Sequence, residues 1–427
     1  MQKSLPRAIA LVFSIWFDFN SIFSELHLKI PFRGFRFIAG SADNAQAMSL
    51  PDFMPYLRLF ILLGCRSLSD MNVRTKDEQF YAKSPSLADK VSIVIPVRNG
   101  GESFRDCLTS LKQFIPAATE VIVVVDGGTD DSHQVAQAFG AKVIQLPESG
   151  GPAKARNIGA QMATTDILFF VDADVALKAD TLEQVVATFE QDPTLAALIG
   201  SYDDAPGAKN FLSQYKNLFH HYTHQTGSEF ASTFWGACGA VRRDVFWSVG
   251  GFDPVQGASV EDIELGYRLR RAGHRIRLCK QIQVKHLKCW RPLSLLRAEI
   301  FYRAVPWTEL LWRDRQFKND LNLNHTNRYS LLLTYALLGS LIAVFWWLPA
   351  LALAGTISFI LLFLNRSVYF FFYQKRGLGF TLQVIPWHWL YFFYGGLAFA
   401  LGTFRYYFRK AIKIALDISQ YQVNHGN

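Results

Sequence analysis

The chain has 427 residues, half of them hydrophobic and 15% aromatic, with a formal charge of +9. Its length allows one sizeable globular domain plus a membrane region, and the apolar excess lies mainly at the two ends. Basic residues flank apolar stretches, as at Arg405, Arg409, Lys410 and Lys413, and form no dense Lys/Arg block. That pattern suits an anionic lipid surface and argues against a nucleic-acid partner.

Five cysteines (Cys65, Cys107, Cys238, Cys279 and Cys289) form no CxxC pair, so reduced, mostly buried thiols are expected in place of a disulfide framework or zinc knuckle.

Residues 1–85 read as an N-terminal extension with apolar patches at 8–23 and 53–64, both short for a membrane span. Met48, Met54 and Met71 are alternative starts. From Val91 the texture changes. VSIVIPV (91–97), VIVVVD (121–126), AKVIQL (141–146) and ILFFVDADV (167–175) are continuous β-branched or aromatic runs. They alternate with helix-like stretches at 102–114, 131–140 and 153–163. Continuous rather than alternating strands imply cover on both faces, hence an α/β domain with a mostly parallel sheet over 86–290.

Residues 291–328 form an amphipathic linker rich in arginine and aromatics. It suits a segment lying on the membrane surface, or alternatively a helix packed on the enzyme domain. Residues 329–364 carry no charge and fit two joined spans turning near Pro349; 380–404 supplies a third. About three membrane helices are therefore expected over 329–410, before a basic and polar tail at 411–427.

Chemistry-bearing residues gather at the ends of the strand runs. Arg98 and Asn99 follow the first strand, where open α/β sheets bind ligands. Asp126 ends the second; its carboxylate can accept from a base N–H or ribose hydroxyl, while Asp130, Asp131 and Ser132 suit capping of the next helix. Gly150 and Gly151 form a pliant loop before a helix carrying Lys154, Arg156 and Asn157, cations and amides suited to a diphosphate. Asp172 and Asp174, one residue apart after a hydrophobic strand, are hard oxygen ligands for Mg²⁺ or Mn²⁺ bridged to phosphates. His286 could complete that metal site or be an ordinary buried histidine. Glu261 and Asp262 open an amphipathic helix, either as helix-start acids or as a general base for an acceptor hydroxyl.

Together, IPVRN, VVDGGTDDS, GGPAKARNIGA, VDADV, the segment through VGGFDP and VEDIELGYRLRRAGHRI resemble the large inverting family 2 of glycosyltransferases, over roughly residues 90–290. The resemblance implies a GT-A fold and a nucleotide-sugar donor, with UDP favoured over GDP. Its conserved turn falls on Pro96 to Asn99 and its donor aspartate on Asp126. Its diphosphate helix falls on Arg156 and Asn157, its metal motif on Asp172 and Asp174, and its catalytic base on Asp262. A later-strand histidine near the metal falls on His286. Gly128 replaces the usual serine of DGSTDDS, and QVKHLKCW does not supply the QxxRW of processive synthases; single-sugar transfer is therefore implied. The expected acceptor is a lipid or lipid-linked molecule, because a C-terminal anchor would hold the site near headgroups. The alternatives are a soluble acceptor, with the membrane as tether, and a non-catalytic nucleotide-sugar-binding subunit. The catalytic domain is expected to face the cytoplasm at the cell membrane, where nucleotide sugars are made, with loops around 200–235 closing over the donor.

Overall fold

The structure, a computed structural model, describes residues 89–117, 119–254, 260–315 and 324–425. The expectations for residues 1–85 and for Cys65 lie outside them.

The domain begins with β1 (Val91–Val97), α1 (Gly101–Phe114), β2 (Glu120–Asp126), α2 (Ser132–Phe139), β3 (Lys142–Leu146), α3 (Gly151–Met162) and β4 (Ile167–Val171). Then follow β5 (Val175–Ala176), α4 (Thr181–Gln191), β6 (Ala197–Tyr202), α5 (Phe211–Thr226), β7 (Cys238–Arg242), α6 (Arg243–Ser248), α7 (Glu261–Arg271) and β8 (Ile276–His286). They build one eight-stranded sheet in the order β3-β2-β1-β4-β7-β6-β8-β5.

The β3-β2-β1-β4 half is parallel, as the continuous apolar runs imply. Strand β7 departs from that, running antiparallel to both β4 and β6. Two apolar clusters cover the two faces, one around Ile93, Val123 and Phe169, the other around Val94, Val124 and Phe170. Successive residues of one strand thus enter opposite clusters, which is why the strands read as unbroken hydrophobic runs.

The chain leaves β1 toward β2 and β3, then returns to place β4 on β1's other side. A crevice opens at such a reversal, beyond the carboxyl ends of β1 and β4. Helix α7 is pressed against the rim of that crevice. A Cβ at Gly266 would meet Phe234 N at 2.2 Å and Thr233 C at 2.5 Å, so only glycine permits this approach. We expect Gly266→Ala to lower stability by about 1–3 kcal/mol. Thermal unfolding of the solubilised protein would measure it; an unchanged midpoint would mean that the helix can lift off freely.

Beyond the sheet come α8 (Pro292–Arg297), a π-helix (Ala298–Ala304), α9 (Val305–Asp314), α10 (His325–Ala343), α11 (Ala350–Leu364) and α12 (Arg366–His425). The described part of the 291–328 segment packs on one side and is exposed on the other. Leu295, Val305, Leu310 and Leu311 are buried, while Leu293 is 83% exposed and Phe301 54%. Helix α12 bends at Gly377, whose φ of 77° and ψ of 179° lie outside helical geometry. Before the bend, Lys375 pairs with Asp204 at 2.7 Å and Arg376 donates to the Asp204 carbonyl at 2.8 Å. Tyr215 and Phe219 of α5 share an apolar cluster with Val368, Tyr369, Phe372 and Val384 of α12.

The expectation of about three spans is not supported. One helix among the described residues, Arg366–Ile414, is long and apolar enough to cross a membrane, with mean hydropathy 1.2. Ala350–Leu364 is apolar but has 15 residues, a rise of only about 22 Å against a hydrocarbon core of roughly 30 Å. Pro349 lies at the α10–α11 turn as expected, and the turn leaves Phe345 85%, Trp346 83% and Leu348 71% exposed.

Candidate active site

A cleft of about 780 Å³ lies at the carboxyl ends of the strands. It takes Pro96, Arg98 and Asn99 from the end of β1, Asp126 from β2 and Ser149 and Gly151 from the glycine loop. Asp172 and Asp174 follow β4, and Glu261 and Asp262 open α7. His286 ends β8 and also lines the cleft. The motif residues, spread from Pro96 to His286 in the sequence, thus converge because each follows a strand end or starts a helix beside one.

The glycine loop is clasped by Asp126. One carboxylate oxygen accepts from Gly150 N at 2.6 Å, and the other from Gly151 N at 3.0 Å and Ser149 Oγ at 2.8 Å. Gly151 has a φ of 84°. Asn99 also has positive φ, at 53°, and its Oδ1 accepts from Thr129 N at 2.7 Å. Asp130, expected to cap α2, accepts from Ser132 N and from Gly101 N, both at 3.1 Å. It therefore ties the loop after β1 to the loop after β2.

Arg156 does something the sequence did not suggest. It is 4% exposed and holds Asp172 with one guanidinium nitrogen and Glu261 with another, each at 2.7 Å. Burial works against its charge, but Asp172, Glu261 and Asp262 outweigh that and raise its pKa further. It is an internal counterion between two acidic motifs. Asn157, its neighbour, clamps the backbone of Phe252: its amide donates to Phe252 O at 2.7 Å and its oxygen accepts from Phe252 N at 2.9 Å. That side chain fixes the VGGFDP segment.

The two acids of the α7 start differ sharply. Glu261 is ion-paired with Arg156. Asp262 accepts from Gly236 N at 3.2 Å and Ile263 N at 2.7 Å. Burial and then the Glu261 charge push its carboxyl up to about 6. A carboxyl so tuned at a cleft wall has the affinity for protons that a general base needs.

The expected three-ligand metal set is not assembled. No group of three His, Cys, Asp or Glu side chains among the described residues is disposed to hold an ion. The reason is local: β4 ends at Val171, and Val175 N bonds back to Asp172 O, so Asp172 and Asp174 leave a turn rather than sharing one face of a strand. Asp172 is drawn to Arg156, whereas Asp174 lies 3.8 Å from both His286 Nε2 and Lys288 Nζ. His286 stacks on Tyr202, with ring centroids 4.2 Å apart. Both aspartates keep about a third of their side chains accessible in the cleft, at 33% and 28%. Two hard, accessible carboxylates there could hold a divalent cation.

The 200–235 region is not a set of closing loops. It contains the 16-residue helix α5, whose Lys216, Phe219, His220 and Thr223 line the cleft. Sequence reasoning also missed Trp235, Lys288, Trp290, Glu299, Tyr302, Arg303, Trp307 and Tyr391, all lining residues. The density of aromatics and cations in 286–312 was the available signal. The described cysteines are free thiols, with Cys107, Cys238 and Cys279 buried and Cys289 exposed.

A mixed sheet with the Asp172/Asp174 turn and an acidic helix start at its strand-end cleft has the architecture of the GT-A fold. Residues 92–250, less than half of the chain, match the family described as Glycosyl transferase family 2. The chain is 33% identical over 204 residues to the pre-mycofactocin glycosyltransferase of Mycobacterium tuberculosis (strain ATCC 25618 / H37Rv), covering 45% of this chain and 41% of that one. It is 24% identical over 239 residues to the O-antigen chain rhamnosyltransferase RfbN of Salmonella typhimurium, covering 52% and 74%. The match thus spans less than half of the first relative's length. In structure it resembles the mannosyltransferase PcManGT from Pyrobaculum calidifontis in complex with GDP-Man and Mn²⁺. The TM-score is 0.51 at 18% identity, over 82% of this chain and 94% of that one, a likeness of fold.

Proposed function

We propose that the protein is an inverting glycosyltransferase that moves one sugar from a nucleotide-diphosphate sugar, with UDP favoured, to a hydroxyl of a lipid or lipid-linked acceptor. The observation that carries this reading is Asp262, a half-buried carboxyl pushed up to about 6 that lines the same cleft as Asp172 and Asp174. Asp126, the Pro96–Asn99 turn and the Gly150–Gly151 loop would receive the nucleoside end. Asp172 and Asp174 would hold Mg²⁺ or Mn²⁺, which when bound supplies positive charge against the leaving diphosphate. The complex of the solved relative with GDP-Man and Mn²⁺ supports both classes of ligand. Asp262 removes the acceptor's proton as the acceptor oxygen attacks the anomeric carbon. One displacement inverts the configuration. Glu261, paired with Arg156, shapes the charge around Asp262 rather than taking the proton itself.

Membrane placement is supported by the long apolar α12 and by the exposed Phe345, Trp346 and Leu348 at the α10–α11 turn. Apolar patches of that kind mark membrane or partner contact. The catalytic cleft would face the cytoplasm, the source of nucleotide sugars.

The test is incubation of membranes carrying the protein with labelled nucleotide sugars and Mn²⁺ or Mg²⁺, then organic extraction. Metal-dependent label in the organic phase supports the reading. Label only in the aqueous phase removes the lipid acceptor, and turnover of no donor removes the enzyme. The transfer rate should also fall as pH drops through about 6, because a base must be deprotonated and burial raises the Asp262 pKa. Below that point the loss approaches tenfold per pH unit. A flat profile between pH 5 and 7, in buffers of about equal ionic strength, would remove Asp262 as the titrating base.

A further inference from the structure

One wall of the cleft is built outside the sheet domain's motifs. Lys216 of α5 pairs with Glu299 of the π-helix at 2.8 Å, and Arg303, one turn on, pairs with the same carboxylate at 3.0 Å. All three line the cleft. Two cations thus share one acid. Glu299 is 5% exposed, but the Arg303 side chain keeps 44% of its surface accessible. Arg303 is therefore the member that can reach a ligand without breaking the cluster. Arg303 and Asp262 line the same cleft.

The backbone carrying this cluster is unusual. A seven-residue π-helix spans Ala298–Ala304. Such turns are rare and concentrate at functional sites. This one turns Glu299 and Arg303 inward while Phe301, on the same seven residues, is 54% exposed. The cationic wall and the apolar outer surface are thus two faces of one short segment. Tyr391 of α12, the long apolar helix, lines the same cleft.

We propose that this wall is the acceptor subsite and that it takes an amphipathic acceptor whose phosphate-type group sits beside the reacting hydroxyl. This rests on the transferase reading above and names the acceptor's chemistry. Arg303 holds two phosphate oxygens through its planar fork. Lys216 adds charge from behind, with Glu299 as their standing counterion. The apolar part of the acceptor extends over the Phe301 and Leu293 surface. The neighbouring hydroxyl gives its proton to Asp262. Its oxygen forms the new bond to the anomeric carbon, and the bond to the donor diphosphate breaks, taking the electron pair with it.

The test uses the full chain in galactolipid vesicles, which contain no phosphate. Quenching of intrinsic tryptophan fluorescence reports binding of dodecyl phosphate, glycerol 3-phosphate or neutral dodecyl glucoside, and UDP and GDP are titrated separately with Mn²⁺. We expect dodecyl phosphate to bind at least about tenfold more tightly than dodecyl glucoside, and Arg303→Gln to erase the difference while Arg303→Lys keeps part of it. Equal binding of glycerol 3-phosphate would assign a soluble phosphate acceptor, and preference for the dodecyl ester a lipid one. No preference for phosphate over the glucoside in the unmodified protein overturns the proposal, whether or not the variants fold. A preference that survives both Arg303→Gln and Lys216→Met also overturns it. Failure to bind either nucleotide would instead overturn the transferase reading, so the two failures are separable.

Discussion

Asp262→Asn is expected to lower sugar transfer by about 10²- to 10⁴-fold, the range assigned to a positioned general base. Nucleotide-sugar affinity should stay within a few-fold, because Asp126 bonds to Ser149, Gly150 and Gly151 while Asp262 bonds to Gly236 and Ile263, so the substitution leaves the glycine-loop clasp intact. The substitution is nearly isosteric, and the amide oxygen can still accept from Ile263 N or Gly236 N. It also removes a charge held beside Glu261 inside the protein, so folding should not suffer. The repulsion from Glu261 that helps raise the Asp262 pKa is a cost in the folded state, and the thermal midpoint should hold or rise. Rates with saturating labelled donor, paired with calorimetric titration of donor, separate these effects. Transfer within tenfold of the unmodified protein would sink the assignment of Asp262 as base. Loss of donor binding with loss of transfer would recast it as a residue that shapes the donor site.

Much of the sheet and the motif order could be read directly from the sequence, for a simple reason. A strand buried on both faces needs an unbroken apolar run, and polar residues at its end face the crevice. Asp126, Asp172 and the Pro96–Asn99 turn could be placed because each directly follows such a run. Residues acting across the fold were illegible. Arg156 lies 105 positions from Glu261 and 16 from Asp172, so nothing local announces that it bridges them. A cation near a glycine loop looks like a phosphate ligand until its partners are seen. Asn157 misleads in the same way, since its amide matches the Phe252 backbone far along the chain. The 298–304 segment has the pattern of an amphipathic helix, and only the π-helical winding shows that Glu299 and Arg303 share the cleft with Lys216. The antiparallel β7 was hidden because a short buried strand is apolar in either direction.

The largest stability effect is expected at Arg156. Its guanidinium lies between Asp172 and Glu261, stacks 5.4 Å from the centre of the Phe252 ring and fits against Gly236, where a Cβ would approach to 3.0 Å. Arg156→Ala leaves Glu261 buried without its cation and Asp172 without its partner. Removing one member of a buried ion pair typically costs about 3–5 kcal/mol, and here one cation serves two acids. The thermal midpoint should fall by several degrees at least. Two additions sort the cause. Glu261→Gln in the Arg156→Ala background removes the orphaned charge and should recover part of the loss; no recovery would mean that lost packing against Phe252 dominates. Mn²⁺ should stabilise the single variant more than the unmodified protein, because Asp172 is then released from Arg156 toward the ion. The same shift for both proteins would show that Arg156 and the cation do not compete for Asp172, and the metal assignment of that carboxylate would have to be withdrawn.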